Sequence, residues 1–249
     1  MKRLPLPLSF PRACAVYLLS AAVCVLLAVL CRTPASPPSS TLCNVVLTAL
    51  LLVVFRRCGG LAPLKEGKYF SKYLPLVLLF PALYLVMRTG AFPDGAGLGP
   101  TLLRVLCIAP EVLWTELLFR QGAALLFGRQ ETFHLRTVIF TCAVFGAGCL
   151  LLDCRLAPTA ANPALDATLS MCMGVFLTAL LLRTKNVLVP MTAQFLMRFT
   201  VGLTDRFSAG SSFGTPEDDL FAALLLCALP LVIGGILIAR GRKAELNRS

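Results

Sequence analysis

Apolar runs recur along the whole chain, and they constrain the fold more than any other feature. A backbone in lipid must satisfy its own hydrogen bonds, so a spanning segment is a helix or part of a closed barrel. The alternating pattern of a barrel strand is absent. The sequence therefore predicts an all-α membrane protein, a bundle of about eight transmembrane helices. The runs are approximately Ala13–Cys31, Thr41–Phe55, Tyr73–Met87, Thr101–Phe127, Thr137–Leu152, Ala164–Leu182, Val187–Val201 and Leu220–Ala239.

Composition agrees with this class, since 57% of the residues are hydrophobic and only 14% are charged. A soluble domain usually has about 25% charged residues. Several of the runs are shorter than the roughly 20 residues of a full span. The net charge of +11 would suggest a nucleic-acid partner if the basic residues were clustered on one soluble face.

The basic residues instead follow the positive-inside rule. If the N-terminus is cytoplasmic and the runs alternate in direction, most of the 23 Lys and Arg residues fall on the inner side. We therefore expect a multi-pass protein of a bacterial inner (plasma) membrane, with both termini cytoplasmic. We expect membrane lipid as a partner and no nucleic acid. The exceptions are Arg32, Arg88, Arg155 and Arg206 on the outer side, and Arg104, Arg120 and Arg198 within runs.

Charged residues inside the runs are candidates for function, because each costs at least about 2.5 kcal/mol at the bilayer centre. In the stretch WTELLFRQGA, Glu116 precedes Arg120 by four residues, the favourable order for a pair on one helix face. Arg198 needs an acidic partner or a water-filled cavity, and the predicted acidic partner is Glu116, for which Arg120 competes. Gln194 shares the face of Arg198. If Pro110 begins its helix, Glu111 lies in the first turn.

Three stretches together resemble a known family. TELLFRQG resembles the E-E-x-x-x-R-G motif of the CAAX-protease and bacteriocin-processing family (CPBP, also called Abi) of intramembrane proteases. VFGAGC resembles its F-x-x-x-H motif. LRTKNVLVPMTAQFLMR resembles L-R-T-G-S-L-W-A-P-I-L-A-H followed by Asn four residues later. The likeness covers about 110–201 and implies an eight-helix bundle. Three motifs in order are more specific than one.

The resemblance implies peptide hydrolysis within the membrane. The family's first glutamate activates water, its first histidine assists, and its second histidine and asparagine stabilise the oxyanion. Those four positions fall on Thr115, Cys149, Gln194 and Arg198, none of which keeps the family's residue. Glu116 and Arg120 are retained. We therefore predict a catalytically impaired family member, a pseudoprotease with a binding or scaffold role.

Two alternatives stay open. One is an active peptidase that cleaves membrane-associated, prenylated or bacteriocin-like peptides. Its base would be Glu116, or Glu111, which precedes Thr115 by one turn and could point into the same cavity. The other is a transporter or lipid-binding helix bundle, for which the third motif would be a coincidence.

We expect no cofactor. Zinc requires several converging ligands, and the predicted cavity offers Cys149, Glu116 and, at most, Glu111 in addition. Arg198 would bind a carboxylate, such as the C-terminus of a membrane-associated peptide or protein, or pair with Glu116. We expect one domain overall, in which 1–100 supplies the first three helices, 101–201 the family-like core, and 202–249 an outer loop, the last helix and a basic tail.

Overall fold

All regular structure in the described part of the chain is helical. The computed structural model describes residues 9–30, 37–57, 70–87, 98–127, 135–152, 163–184, 186–205 and 216–246. The α-helices are α1 (Phe10–Leu30), α2 (Pro37–Arg57), α3 (Phe70–Met87), α4 (Leu98–Glu116), α5 (Gly122–Phe127), α6 (Leu135–Leu151), α7 (Pro163–Thr184), α8 (Leu188–Asp205) and α9 (Pro216–Leu246). A π-helical turn, Leu117–Gln121, joins α4 to α5 without a break.

The predicted all-α fold is therefore confirmed over these residues. Each apolar run predicted from the sequence lies on a helix, and α4, the π turn and α5 together form the fourth run. By length and hydropathy, two stretches can cross a bilayer, Phe10–Leu30 and Ala167–Thr184. Three further apolar helices are shorter over the described residues, Ser71–Val86, Arg136–Leu151 and Leu224–Arg240. The number of spanning helices therefore stays a prediction.

Two apolar cores hold the helices together. The first joins α1, α2 and α6 to α4, the π turn and α5, and single residues of α7 and α8 also belong to it. Its largest side chains include Tyr17, Trp114, Phe119 and Phe145. The second joins α3, α7, α8 and α9. At its centre the rings of Phe80 and Phe176 meet edge to face, with centroids 4.7 Å apart. Since α8 also packs against α4, the junction between α4 and α8 connects the two cores.

Helices α7 and α9 approach each other closely at Gly234. A Cβ atom at this position would lie 3.1 Å from the backbone nitrogen of Phe176 and 3.2 Å from its Cα. These backbone atoms cannot move aside as a flexible side chain can. Gly235, the next residue, has nothing within 4 Å of the same hypothetical Cβ. Substituting Gly234 and Gly235 in turn therefore separates the effect of helix packing on stability from the effect of helix propensity.

We predict that Gly234→Ala destabilises the protein by about 1–3 kcal/mol, the usual cost of overpacking a tight contact. Gly235→Ala is the matched control and should leave stability unchanged or raise it by up to about 1 kcal/mol through helix propensity. Thermal unfolding in detergent measures both. Equal effects of the two substitutions would contradict the close approach of α7 and α9.

Candidate functional site

Helix α4 carries three of the predicted site residues, and it begins well before Pro110. The helix starts at Leu98 and runs through Pro110, so Glu111 lies in its interior rather than in a first turn. Proline removes one helical hydrogen bond but is tolerated in membrane helices when neighbours satisfy the freed groups. The carbonyl of Pro110 accepts a hydrogen bond from Thr48 Oγ1 of α2 at 3.0 Å.

The π turn follows Glu116 directly, so it separates the two charges of the retained motif. Its wider backbone ring is closed by the N–H of Gly122, which donates to the carbonyl of Leu117. Such turns often occur at functional sites. The carbonyl of Phe119, within the turn, accepts a hydrogen bond from the Tyr17 hydroxyl of α1 at 3.0 Å. A side chain from the first helix therefore holds the turn that carries Arg120.

Glu116 and Arg120 are both buried, with relative exposures of 0% and 1%. Arg120 Nε lies 3.8 Å from Glu116 Oε1, which confirms the predicted pairing of these residues. The guanidinium also lies over the ring of Phe145 on α6, with Cζ 4.0 Å from the ring centroid. This cation–π contact covers one face of the guanidinium.

Arg198 of α8 forms its ion pair with Glu111, not with the predicted partner Glu116. Arg198 Nη1 lies 3.0 Å from Glu111 Oε1, and the two side chains are 8% and 19% exposed. The prediction failed because it ranked partners by sequence motif, whereas α8 packs against α4 at the level of Glu111. The charge of Arg198 also acts on Glu116 electrostatically.

Gln194 lies between the two ion pairs. With its amide oriented to satisfy its neighbours, the NH2 group donates to Glu116 Oε1, and the carbonyl accepts from Arg198 Nη2 at 3.3 Å. The five side chains of Glu111, Glu116, Arg120, Gln194 and Arg198 thus form one chain of contacts between α4, the π turn and α8. We call this group the α4–α8 clamp. Its two carboxylates and two guanidinium groups balance in charge.

Thr115 and Cys149 lie outside the clamp. Thr115 is buried, and its hydroxyl donates to the backbone carbonyls of Glu111 and Val112, at 2.8 and 3.1 Å. The hydroxyl is therefore directed at its own helix. Cys149 is 2% exposed and lies on α6, one turn after Phe145. Cys149 belongs to the first core, as does the Phe145 ring beneath Arg120.

The N-terminal helices support the site through polar contacts that sequence reasoning missed. Trp114 Nε1 donates to Asn44 Oδ1 of α2 at 2.9 Å, beside Thr115. Thr48 and Tyr17 make the contacts with Pro110 and Phe119 described above. A signal was present, because Asn44 and Thr48 stand four residues apart in an otherwise apolar run. Their partners could not be read from the sequence.

The described residues contain no group of three or more His, Cys, Asp or Glu side chains that could hold a metal ion. Glu111 and Glu116 are instead engaged by arginines. That the chain needs no cofactor stays a prediction.

Residues 97–200 match a family model described as Rce1-like, the type II CAAX prenyl endopeptidase Rce1-like family. The predicted family resemblance is confirmed. Every site residue predicted from the sequence lies within this Rce1-like region, whereas α1–α3 and α9 lie outside it. Searches of curated proteins and of solved structures gave no match. Residues 97–200 thus form a CAAX-protease-like region within a chain of apolar helices.

We predict that Arg120→Met destabilises the protein by about 3–5 kcal/mol, because it leaves the Glu116 carboxylate buried beside an apolar side chain. Unfolding in a series of detergent mixtures measures the loss. The double variant Glu116→Gln/Arg120→Met should recover about 0.5–3 kcal/mol relative to the sum of the single effects. Additive single effects would show that Glu116 and Arg120 do not interact.

Proposed function

We propose that this chain is a catalytically impaired member of the CAAX-protease family that serves as a membrane binding or scaffold module. The main observation that supports this proposal is the α4–α8 clamp. It occupies four of the positions to which the family resemblance assigns chemistry or motif function, at Glu116, Arg120, Gln194 and Arg198. In this structure these side chains contact each other and Glu111.

The contacts of the Glu111 and Glu116 carboxylates support catalytic impairment. A general base must be within hydrogen-bond reach of its water and must be able to take the proton. Glu116 Oε1 faces Arg120 and the Gln194 amide, and Glu111 Oε1 faces Arg198. Thr115, at the family's base position, has no acidic group, and its hydroxyl bonds to the α4 backbone.

The residues at the family's oxyanion-stabilising positions also support catalytic impairment. Stabilising a tetrahedral intermediate requires donors aimed at the point where charge develops. At the family's second histidine and asparagine positions, Gln194 and Arg198 instead direct their donors at Glu116 and Glu111. Replacing a neutral amide with a permanent guanidinium charge at position 198 also favours holding an anion over binding a short-lived intermediate.

The proposed partner is a membrane-associated peptide or protein with a carboxylate, such as a C-terminus, that Arg198 would receive. Glu111 is the carboxylate that Arg198 holds in this structure, and its side chain is 19% exposed. A ligand carboxylate would compete with Glu111 at this partly exposed end of the clamp. Buried Glu116 and Arg120 would remain as the fixed end.

The proposed setting is a bacterial inner membrane with both termini cytoplasmic, supported by the distribution of Lys and Arg along the sequence. The Rce1-like core would be one part of a single domain, with residues 1–100 before it and 202–249 after it. The contacts of Tyr17, Asn44 and Thr48 with the core support the inclusion of the N-terminal helices.

We predict no peptide hydrolysis by the purified chain in proteoliposomes, because arginines pair with both Glu111 and Glu116 and the family's base position carries Thr115. The measurement is cleavage of a reporter library that contains prenylated and unmodified membrane-associated peptides. Cleavage should not exceed that of protein-free liposomes. Arg198→Asn, which releases Glu111, should also be inactive, since Thr115 still supplies no base.

Turnover by the wild-type chain that disappears in Glu116→Gln or in Glu111→Gln would overturn the proposal and establish the active-peptidase alternative. Each of these variants keeps the size of the side chain and removes its charge, so loss of activity would identify the base. A separate check that each variant remains folded, by circular dichroism, distinguishes lost chemistry from lost structure.

A further inference from the structure

Arg120 is buried without the hydrogen bonds that its charge requires. Nε, Nη1 and Nη2 have no hydrogen-bond partner in the described structure, although the residue is 1% exposed. Glu116 Oε2 is equally buried and also has no partner there. The closest atoms of the two groups, Nε and Oε1, are 3.8 Å apart, which is beyond hydrogen-bond distance.

Burying an ionised group without hydrogen bonds is among the costliest arrangements in a protein. The Phe145 ring covers one face of the guanidinium, but a cation–π contact does not use the N–H donors at its edge. The edge donors of Arg120 and Oε2 of Glu116 therefore form a complementary set, donors on one side and an acceptor on the other.

The charge of the surroundings determines what can complete this set. The α4–α8 clamp holds two carboxylates and two guanidinium groups, so a bound anion or cation would add an uncompensated charge to a buried site. A neutral guest adds none. It must accept from a guanidinium, donate to a carboxylate and be small enough to lie where both side chains are closed to solvent. Water meets all three conditions and typically makes about three hydrogen bonds at such sites.

We propose that Arg120 and Glu116 hold a resident internal water, which accepts from Arg120 and donates to Glu116 Oε2. The site lies between the π turn and α6, beside Phe145. It is distinct from the position at which the family resemblance places the water-activating group, which is Thr115. The water completes the clamp at its buried end, and this role does not depend on whether the chain hydrolyses peptides.

X-ray hydroxyl-radical footprinting with mass spectrometry tests this water in the intact wild-type protein. Radiolysis of a bound water produces a radical that oxidises the side chains next to it, including ones that bulk solvent cannot reach. Phe145 is 0% exposed and contacts Arg120. We expect it to be oxidised several-fold more than Phe176, which is equally buried but packs in the second core. Phe80, the ring partner of Phe176, is a second reference.

Oxidation of Phe145 at or below the level of Phe176 would overturn the proposal, and this comparison needs no variant. Arg120→Met adds a second test, because it removes the donors and should abolish most of the excess oxidation at Phe145 while leaving Phe176 unchanged. Persistent excess oxidation in this variant would show that Arg120 does not hold the water. Arg120→Lys keeps a charged donor and should retain the excess.

Discussion

Ionised side chains within an apolar helical core must be paired, and this requirement organises the junction between α4 and α8. An isolated carboxylate or guanidinium there would be costly, yet Glu111, Glu116, Arg120 and Arg198 all lie in this region. The α4–α8 clamp resolves the problem by alternating their charges, with Gln194 connecting the two ion pairs. The same clamp lies where the two apolar cores meet, because α4 belongs to the first core and α8 contributes to both.

The clamp depends on backbone features that are supported from outside the Rce1-like region. The π turn sets the direction in which Arg120 leaves the helix, and Tyr17 of α1 binds the Phe119 carbonyl of that turn. Asn44 and Thr48 of α2 fix Trp114 and the Pro110 carbonyl, on either side of Glu111. The N-terminal helices therefore position the site.

Hydropathy and residue spacing predicted the helices and one ion pair. The apolar runs predicted each helical run because lipid allows few alternatives for the backbone. Glu116 and Arg120 were predicted to pair because four-residue spacing places them on one helix face. The partner of Arg198 was predicted wrongly as Glu116, since the choice between Glu111 and Glu116 depends on how far α8 is shifted along α4. Sequence periodicity carries no information on that shift.

Other structural features of the site have no recognisable pattern in the sequence. Whether Pro110 begins a helix was left open by the sequence, and packing against α2 lets α4 continue through it. The π turn has no hydropathy signature, because it differs from an α-helix by one hydrogen-bond step. Tyr17, Asn44 and Phe145 contact the site across large sequence separations, so only the tertiary structure reveals them.

A charge exchange between α4 and α8 tests the α4–α8 clamp most directly. Glu111→Arg and Arg198→Glu each place like charges opposite each other, so each should lower the thermal unfolding midpoint in detergent. The double variant Glu111→Arg/Arg198→Glu should recover most of that loss, whereas Glu116→Arg/Arg198→Glu should not, because Glu116 pairs with Arg120. Recovery by the second exchange and not by the first would contradict the clamp.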